Sequence, residues 1–483
     1  ISISVVYTTL LYIILLNMFT RTKIICTIGP STDSYSSLEN LVLSGMDVAR
    51  INMSHATHKN ASNIIEFIHK INKKNKTNVS VLLDTQGPEI RTGDTKLPID
   101  LKSGDIVSLT VRDEVDVETS SIKINYKGLI QSVTKGSKIS VDNGLINFEV
   151  ISKDYETLEC KVIDGGKIGS KRHVNLPGVR INLPSITTKD IEDIKFGIKS
   201  GVDFIALSFV RSADDITELQ KLISKNKSSV KIISKIENQE GLDNIEDICQ
   251  SSWGVMVARG DLGIETSLTN LPNIQRKIML SCATHGKRSI VATHLLESMI
   301  NNPTPTRAEV TDIANAVYEG ADAVMLSGET SIGKYPEECI KFMKSIVAET
   351  EKFKTLGYEN NLQKNSDWEY IGQAAKNLAE SIEADGIIAI TRTGDTATYI
   401  ANAKPHGVPI FSFTNSEVTL RQLSLVGSTV SFLIKDISNH DKTIKQCSNI
   451  LKKYFSKKKK LKFIMVSGIF SEKHSDAIQI INF

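Results

Sequence analysis

Eight short apolar runs, rich in β-branched residues, recur along most of the chain, and helical patterns fill most of the gaps between them. Parallel strands need a crossover of a dozen or more residues, usually a helix, so this alternation is typical of a parallel sheet. Eight such units predict a closed (β/α)₈ barrel with right-handed crossovers, which is a TIM barrel. The runs are TKIICTIG, DVARINMS, SVLLDT, FIALSFV, VKIISKIE, GVMVARG, RSIVATH and ADAVMLSG.

The third and fourth runs are separated by over a hundred residues, which is far more than one connecting helix requires. Residues 89–184 contain alternating runs such as DIVSLTV and LECKVI with Asn-Gly turns, and predict an inserted β lid domain. A polar linker at 354–368 precedes strands interleaved with helices in 369–483, which predict a C-terminal open-sheet α/β domain. Residues 18–88 and 185–352 then form the barrel.

Composition limits the classes of partner. A formal charge of +3 over 483 residues is too small to indicate nucleic acid or a membrane surface as a partner. The lysines within 452–460 are interpreted as a solvated helix end or loop, with a binding patch as the alternative. Six cysteines without CxxC spacing favour reduced thiols, as in a cytoplasmic protein.

The first 17 residues, ISISVVYTTLLYIILLN, are apolar and uncharged. A short membrane anchor or the apolar part of a signal peptide is one interpretation. The segment lacks a basic region and a small-residue cleavage site, so we interpret residues 1–17 as a non-native or disordered extension. No membrane partner is therefore expected.

Polar residues follow the apolar runs, at the end where barrels of this kind place their chemistry. Lys235 and Glu237 lie two residues apart and would project to the same side of one strand. A cation beside a carboxylate suits a phosphoryl group and its divalent metal, although a surface ion pair is the alternative. Asp261 after the next strand adds a second carboxylate, as Mg²⁺ prefers. The strand-end residues are Thr27, Arg50, Asn52, Asp84, Lys235, Glu237, Asp261, Thr293 and Ser327.

The motifs around these residues resemble those of pyruvate kinases, in the order of that family, from about Met18 to near the last residue. The resemblance is dense through the first three-quarters and weaker after about Thr350. It implies a phosphotransferase that moves the phosphoryl group of phosphoenolpyruvate to ADP and gives pyruvate and ATP. The motifs are CTIGPST, ARINMSH, DTQGPEIRTG, NLPG, KIENQEG, GVMVARGDLG and NPTPTRAEVTDIANAVYEGADAVMLSGET.

The resemblance also assigns roles at the substrate site. Lys235 neutralises the transferring phosphoryl group, and Arg50 binds the phosphate. Glu237 and Asp261 bind Mg²⁺ (or Mn²⁺), and Thr293 is linked to protonation of the enolate. The implied substrate-binding residues are Arg50, Lys235, Ala258, Arg259, Gly260, Asp261, Thr293 and Ser327.

Four oxygen-bearing residues match the potassium ligands of the family, and Glu89 matches the variant that accompanies K⁺ dependence. The four are Asn52, Ser54, Asp84 and Thr85. A second set matches positions that approach ADP or ATP, namely Thr27, Pro30, His55, Arg91 and Arg172. The sequence departs from the usual residues at Gln86 and Arg172 (commonly Lys), His173 (Gly) and His294 (Gln).

Regulation and assembly are further expectations from the resemblance. The loop TRTGDTAT resembles one that holds an effector's phosphate, through Thr391, Thr393, Gly394 and Thr396, but Asp395 adds negative charge there. A phosphate-free structural loop is the alternative. A cytoplasmic homotetramer is implied, without nucleic acid. Two other functions remain open: another phosphoenolpyruvate-binding barrel such as a carboxylase or lyase, and a non-catalytic descendant.

Overall fold

The computed structural model describes residues 19–95, 97–112, 121–142, 144–179, 183–437, 439–455, 460–468 and 477–483. The extension predicted at residues 1–17 lies outside the described residues. Within the described part of the chain, no helix is long and apolar enough to cross a membrane.

The chain opens with two β-strand and α-helix units and a third strand. Thr57 caps α2 by accepting a hydrogen bond from the N–H of Asn60, and the apolar stripe of α2 packs inward. All residues of β1 and β3 are buried, as expected for parallel strands covered on both faces. These elements are β1 Lys23–Thr27, α1 Tyr35–Ser44, β2 Val48–Asn52, α2 His58–Asn75 and β3 Ser80–Asp84.

A β domain that contains the short helix Leu129–Ser132 follows β3. Its main sheet has the order β11-β7-β8-β9-β5-β6, and β10 pairs with β4 in a separate ribbon. The two ends of the insertion meet, because the Val174 N–H donates to the Ile90 carbonyl at 2.8 Å. The elements are β4 Ile99–Leu101, β5 Ile106–Thr110, β6 Ser121–Lys123, α3 Leu129–Ser132, β7 Lys138–Val141, β8 Ile146–Lys153, β9 Thr157–Asp164, β10 Gly166–Ile168 and β11 Val174–Asn175.

The chain then returns to complete the barrel, whose closed order is β1-β16-β15-β14-β13-β12-β3-β2, with all pairs parallel. The predicted TIM barrel is therefore confirmed. The elements are α4 Thr188–Ser200, β12 Phe204–Leu207, α5 Ala213–Lys225, β13 Lys231–Ile236, α6 Gln239–Asp243, α7 Ile245–Ser251, β14 Gly254–Ala258, α8 Arg259–Glu265, α9 Leu271–Thr284, β15 Arg288–Ala292, α10 Arg307–Tyr318, β16 Ala323–Leu326, α11 Gly328–Ser331 and α12 Pro336–Thr350.

The C-terminal domain is an open α/β sheet of order β19-β18-β17-β20-β21, as predicted, with an antiparallel edge strand β21 that the sequence patterns did not predict. Its first helix begins at Asp367, so Trp368 belongs to that helix and not to the linker. The elements are α13 Asp367–Ser381, β17 Gly386–Ile390, α14 Asp395–Asn402, β18 Ile410–Thr414, α15 Glu417–Gln422, β19 Thr429–Leu433, α16 His440–Tyr454, β20 Lys462–Ser467 and β21 Ala477–Asn482.

The C-terminal domain docks beneath the barrel, where the barrel strands begin. Arg421 on α15 pairs with buried Asp203, the residue before β12, at 2.9 Å. Ser424 and Ser80, the first residue of β3, share a hydrogen bond of 2.6 Å. The opposite mouth of the barrel, where the strands end, therefore stays open toward the lid domain.

Candidate active site

The eight barrel strands end at one mouth and bring together polar residues that are far apart in sequence. Strand register makes Thr27 the neighbour of Arg50, and Asn52 the neighbour of Asp84. Ser208, Lys235, Thr293 and Ser327 follow or end other strands of the same barrel. This location is the one that (β/α)₈ barrels use for binding and chemistry.

Asp84 is the centre of the charge network at this mouth. It is fully buried, and its Oδ2 accepts from Arg50 Nε at 2.7 Å while its Oδ1 accepts from Lys235 Nζ at 3.0 Å. Burial alone raises the pKa of Asp84, but the Lys235 and Arg50 cations outweigh it and lower the pKa below its ordinary value. Asp84 thus stays ionised and fixes both cations.

Lys235 is 8% exposed and has three acceptors for its three N–H groups. Besides Asp84, its Nζ lies 3.0 Å from Glu237 Oε1 and 2.8 Å from Ser208 Oγ. Burial lowers the pKa of Lys235, but the Asp84 and Glu237 carboxylates raise it above its ordinary value. Lys235 is therefore a permanent cation held in one place, which a group that binds a phosphoryl oxygen needs.

Glu237 and Asp261 form the carboxylate side of the site. Burial raises the pKa of Glu237 to about 7; Lys235 opposes this shift and the Asp261 charge adds to it. The Glu237 Oε2 accepts from the Phe209 N–H at 2.6 Å, and Asp261 Oδ1 lies 3.7 Å from His173 Nδ1 of the lid domain. A buried carboxylate and a partly exposed one that repel each other are a fitting place for a divalent cation.

The fit with Mg²⁺ depends on the donor set. In the described part of the chain, no group of three or more His, Cys, Asp or Glu side chains could hold a metal ion. Mg²⁺ commonly takes one or two carboxylates and completes its shell with water and substrate oxygens. Glu237 and Asp261 match that pattern, and Mn²⁺ would accept the same oxygens.

Thr293 follows β15 and has its hydroxyl fixed at both ends. Its Oγ1 donates to the Ala292 carbonyl at 2.5 Å and accepts from the Gly260 N–H at 2.8 Å. Thr293 and His294 have φ angles of 71° and 56°, in the left-handed region that non-glycine residues rarely occupy. Such strained residues occur at functional sites that the surrounding structure holds in place.

Arg259 and Ser327 border the same side of the mouth. Arg259 bridges elements, because it donates to the Thr293 carbonyl at 2.6 Å and pairs with Asp312 at 2.7 Å. Ser327 donates its N–H to Glu329 Oε2 at 2.7 Å, and its buried Oγ has no partner among the described residues. Of Arg259 and Ser327, Ser327 thus has a side-chain polar group without a partner among the described residues.

The predicted potassium ligands lie together at the ends of β2 and β3. The Asn52 Oδ1 accepts from the Ser54 N–H at 3.1 Å, and Asn52 is the register partner of Asp84. Thr85 follows Asp84 directly, and its Oγ1 accepts from the Ser208 N–H at 3.1 Å. The set offers oxygen atoms, among them a single carboxylate, Asp84, which also pairs with Arg50 and Lys235.

The predicted nucleotide residues divide between the barrel and the lid domain. Thr27 is buried and accepts from Arg50 Nη1 at 2.8 Å, whereas Pro30 and His55 are exposed. In the lid, Arg91 is held by Glu89 at 2.5 Å and Arg172 by Asp142 at 3.3 Å. Each of these two arginines already has a carboxylate partner.

The loop predicted to bind an effector begins where β17 ends. Thr391 is buried and its Oγ1 accepts from the Gly394 N–H at 2.9 Å, while Thr393 donates its hydroxyl to Asp395 Oδ2 at 2.7 Å. Gly394 has φ of 95° and lies directly before α14. Two of the hydroxyl and N–H groups that an anion would use are thus engaged within the loop.

Sequence reasoning missed four residues that shape the site. Ser208 and Phe209 follow β12, the strand to which no functional residue had been assigned, and that empty position was a usable signal. Glu329 is fully buried and accepts from the Leu296 N–H as well as that of Ser327, so it joins the loops after β15 and β16. Asp190 accepts from the Gln86 and Gly87 N–H groups at 3.1 Å each and fixes the start of the lid connection.

Comparison with known proteins gives a consistent result. A family model described as "Pyruvate kinase, barrel domain" matches residues 19–340, and one described as "Pyruvate kinase, alpha/beta domain" matches residues 369–481. Pyruvate kinases of Staphylococcus aureus (strain MRSA252) and Staphylococcus epidermidis (strain ATCC 12228) are each 43% identical over 413 residues, which cover 84% of this chain and 70% of theirs. A crystal structure of a pyruvate kinase from Cryptosporidium parvum superposes with a TM-score of 0.91 at 34% identity over 96% of both chains. With its barrel, its C-terminal sheet and most of its length matched in this way, the chain belongs to the pyruvate kinase family.

Proposed function

We propose that this chain catalyses the reaction of its family, in which phosphoenolpyruvate transfers its phosphoryl group to ADP and yields pyruvate and ATP. The observation that carries the proposal is the buried cluster at the barrel mouth. Two cations, Arg50 and Lys235, share the carboxylate of Asp84, and Lys235 also touches Glu237. A cluster of this composition suits positioning and electrostatic stabilisation of a transferring phosphoryl group.

The two cations act on the phosphoryl group from fixed positions. Lys235 neutralises charge on the phosphoryl oxygens in the transition state, and Arg50 binds the phosphate. Arg50 is 9% exposed, and Asp84 and Thr27 hold its guanidinium in place. Preorganised charges need no reorganisation during the reaction, which makes them effective in a site that excludes water. The backbone of Ala258, Arg259, Gly260 and Asp261 would receive the substrate carboxylate, and Ser327 would also bind the substrate.

The enolate left after transfer has to gain a proton. Thr293 would lie beside this position, but a hydroxyl has a pKa far above 7 and is a poor acid by itself. Since Thr293 is fixed between the Ala292 carbonyl and the Gly260 N–H, its role is to orient a water chain that delivers the proton. His294 is the alternative acid, but its side chain makes no hydrogen bond to the described residues that would orient it for this role.

Glu237 and Asp261 would hold Mg²⁺ (or Mn²⁺). When bound, the metal polarises phosphoenolpyruvate and neutralises part of the phosphoryl charge. The raised pKa of Glu237, about 7, and the nearby Asp261 charge support the assignment, since a divalent cation would relieve their repulsion. Asn52, Ser54, Asp84 and Thr85 would hold K⁺.

The nucleotide would lie between barrel and lid, against Thr27, Pro30, His55, Arg91 and Arg172. Arg172 offers a planar guanidinium where relatives commonly have Lys, so the affinity for ADP differs from that of such relatives. The lid domain would exclude water by closing over the mouth. The domain division 18–88 with 185–352, 89–184 and 369–483, a homotetrameric assembly and a cytoplasmic location are further proposals, supported by family membership.

The test is a lactate dehydrogenase coupled assay in which ADP, Mg²⁺ and K⁺ are each omitted in turn. The proposal expects pyruvate formation that requires all three. Pyruvate or another product formed without ADP would favour a lyase or carboxylase. Absence of turnover under every condition would favour a non-catalytic relative.

A further inference from the structure

Ser208, directly after β12, lies between the phosphoryl-site lysine and the proposed potassium ligands. Its Oγ accepts from Lys235 Nζ at 2.8 Å and lies 2.7 Å from the main-chain oxygen of Thr85, while Asp84 Oδ1 is farther away at 3.3 Å. A hydroxyl has one proton, and the shorter contact to the Thr85 oxygen receives it. Ser208 is therefore an acceptor for Lys235 and a donor to Thr85.

The main chain of the same turn makes two more contacts with the site. The Ser208 N–H donates to Thr85 Oγ1 at 3.1 Å, and the Phe209 N–H donates to Glu237 Oε2 at 2.6 Å. Phe209 has φ of 53°, which bends the chain so that its N–H reaches Glu237. One turn thus contacts Lys235, Glu237 and the threonine of the potassium set.

Packing fixes the position of this turn. Gly87, with φ of 76°, lies against it so closely that a Cβ there would come within 2.8 Å of Ser208 Cβ and 2.9 Å of Phe209 Cδ2. Ser208 itself is 2% exposed. Water therefore cannot easily replace its hydroxyl as a partner of Lys235.

We propose that Ser208 is a positioning residue that sets the location of the Lys235 ammonium and couples it to the monovalent-cation site through Thr85. Three acceptors on different elements fix the three N–H directions of Lys235. Without the Ser208 hydroxyl, which is the neutral acceptor, the ammonium would shift toward Asp84 and Glu237. A displacement of about 1 Å can reduce turnover on the order of a hundredfold. The inference rests on the proposed function.

The test compares Ser208→Ala with Ser234→Ala. Ser234 is on the same strand as Lys235, and its buried hydroxyl bonds to Ser252, away from the site. Ser208→Ala should lower kcat about ten- to hundredfold, because the lost hydrogen bond involves a charged group. The affinity for phosphoenolpyruvate with Mg²⁺, measured by calorimetry without ADP, should stay within about threefold, since Arg50 and Glu237 remain in place. Ser234→Ala should leave both quantities near those of the unmodified chain.

A second readout does not depend on turnover. The thermal unfolding midpoint is followed as KCl replaces tetramethylammonium chloride at constant ionic strength. Ser208→Ala should raise the K⁺ concentration needed for the half-maximal shift about fivefold, the effect of one lost hydrogen bond on Thr85. Ser208→Gly removes the same hydroxyl and should change kcat and the K⁺ dependence as Ser208→Ala does. An effect seen in only one of the two variants would indicate a folding defect of that variant.

The outcomes separate this inference from the function on which it rests. If the unmodified chain makes no pyruvate or shows no K⁺ effect, the proposed function fails. If it does both, but Ser208→Ala keeps kcat within twofold of Ser234→Ala, the positioning role is wrong. If kcat falls but the K⁺ concentration for the half-maximal shift is unchanged, the coupling to the potassium site is wrong.

Discussion

At the scale of single residues, the main feature is that Lys235 is surrounded by acceptors that would be costly to leave unpaired. Asp84 and Glu237 are at most 2% exposed and both contact its Nζ. Removing one member of a buried charge network leaves the others without compensation. Substitutions here are therefore expected to affect stability as well as catalysis.

Lys235→Met should lower kcat by several orders of magnitude, while phosphoenolpyruvate binding changes little, because the lysine acts mainly in the transition state. The free energy of unfolding should also fall by about 3 kcal/mol, since Asp84 and Glu237 lose their shared cation. Steady-state kinetics and urea unfolding measure the two effects. Lys231→Met, on the same strand but outside the site, is the control, and a loss of kcat below about tenfold would contradict the assignment.

The second residue prediction concerns Glu89 and K⁺. Activity should collapse when K⁺ is exchanged for a large organic cation, because a carboxylate at Glu89 cannot replace the ion. Glu89→Lys should restore part of the activity, because its ammonium can stand in for the ion. Glu89→Gln is the matched control and should keep the K⁺ requirement. Full activity of the unmodified chain without any activating monovalent ion would refute the prediction.

At the scale of elements, the sequence was sufficient for the barrel because each strand is buried on both faces and reads as an apolar run. The edge strand β21, Ala477–Asn482, escaped prediction because none of its residues is fully buried and its sequence gives no such run. The meeting of polar strand-end residues at one barrel mouth was predictable from their positions after the apolar runs. Glu329 and Asp190 were not, because their roles consist of contacts with residues distant in sequence, and a single sequence does not show those contacts. For Ser208, the sequence offered only the unassigned position after β12 and not its contacts with Lys235 and Thr85.

The loop between β17 and α14 carries the prediction on regulation. Asp395 accepts the Thr393 hydroxyl, and a second negative charge a few ångströms away costs about 1 kcal/mol or more near a surface. We therefore expect little response to fructose 1,6-bisphosphate, with AMP or a monophosphorylated sugar the better activator if either acts. Phosphoenolpyruvate saturation curves with each compound measure this response.

Asp395→Ser provides the matching variant, because it removes the charge and keeps a hydroxyl. It should strengthen any weak response to a phosphorylated compound. A large shift of the saturation curve by fructose 1,6-bisphosphate in the unmodified chain would show the prediction to be wrong.

At the scale of the whole molecule, the contact between barrel and C-terminal domain contains a carboxylate that titrates near pH 6. Burial raises the pKa of Asp203 to about 6, although Arg421 and the Val81 N–H oppose the shift. The folded chain thus holds a proton between about pH 4 and 6 that the unfolded chain has released. Stability should therefore fall as pH rises through this window, by about 3 kcal/mol for a pKa raised from 3.8 to about 6.

Asp203→Asn tests whether Asp203 causes this pH dependence of stability, because the amide retains an acceptor for the Val81 N–H but does not titrate. The difference in unfolding free energy between the unmodified chain and the variant should shrink as pH rises from 4.5 to 7. Asp214→Asn, at an exposed position, should give a difference that stays nearly constant. A difference that grows with pH would mean that the pKa of Asp203 is lowered in the folded state.

The meeting of the two ends of the inserted lid domain has a consequence for how the barrel is assembled. Strands β3 and β12 are neighbours although Leu82 and its partner Phe204 are roughly 120 residues apart, and closing a loop of that length instead of a short one costs about 2 kcal/mol more in chain entropy. If the lid folds first, the bond between Val174 and Ile90 has already brought the two ends together. The barrel then closes as though the connection were a short loop, so a chain whose lid is replaced by a short turn should still form the barrel.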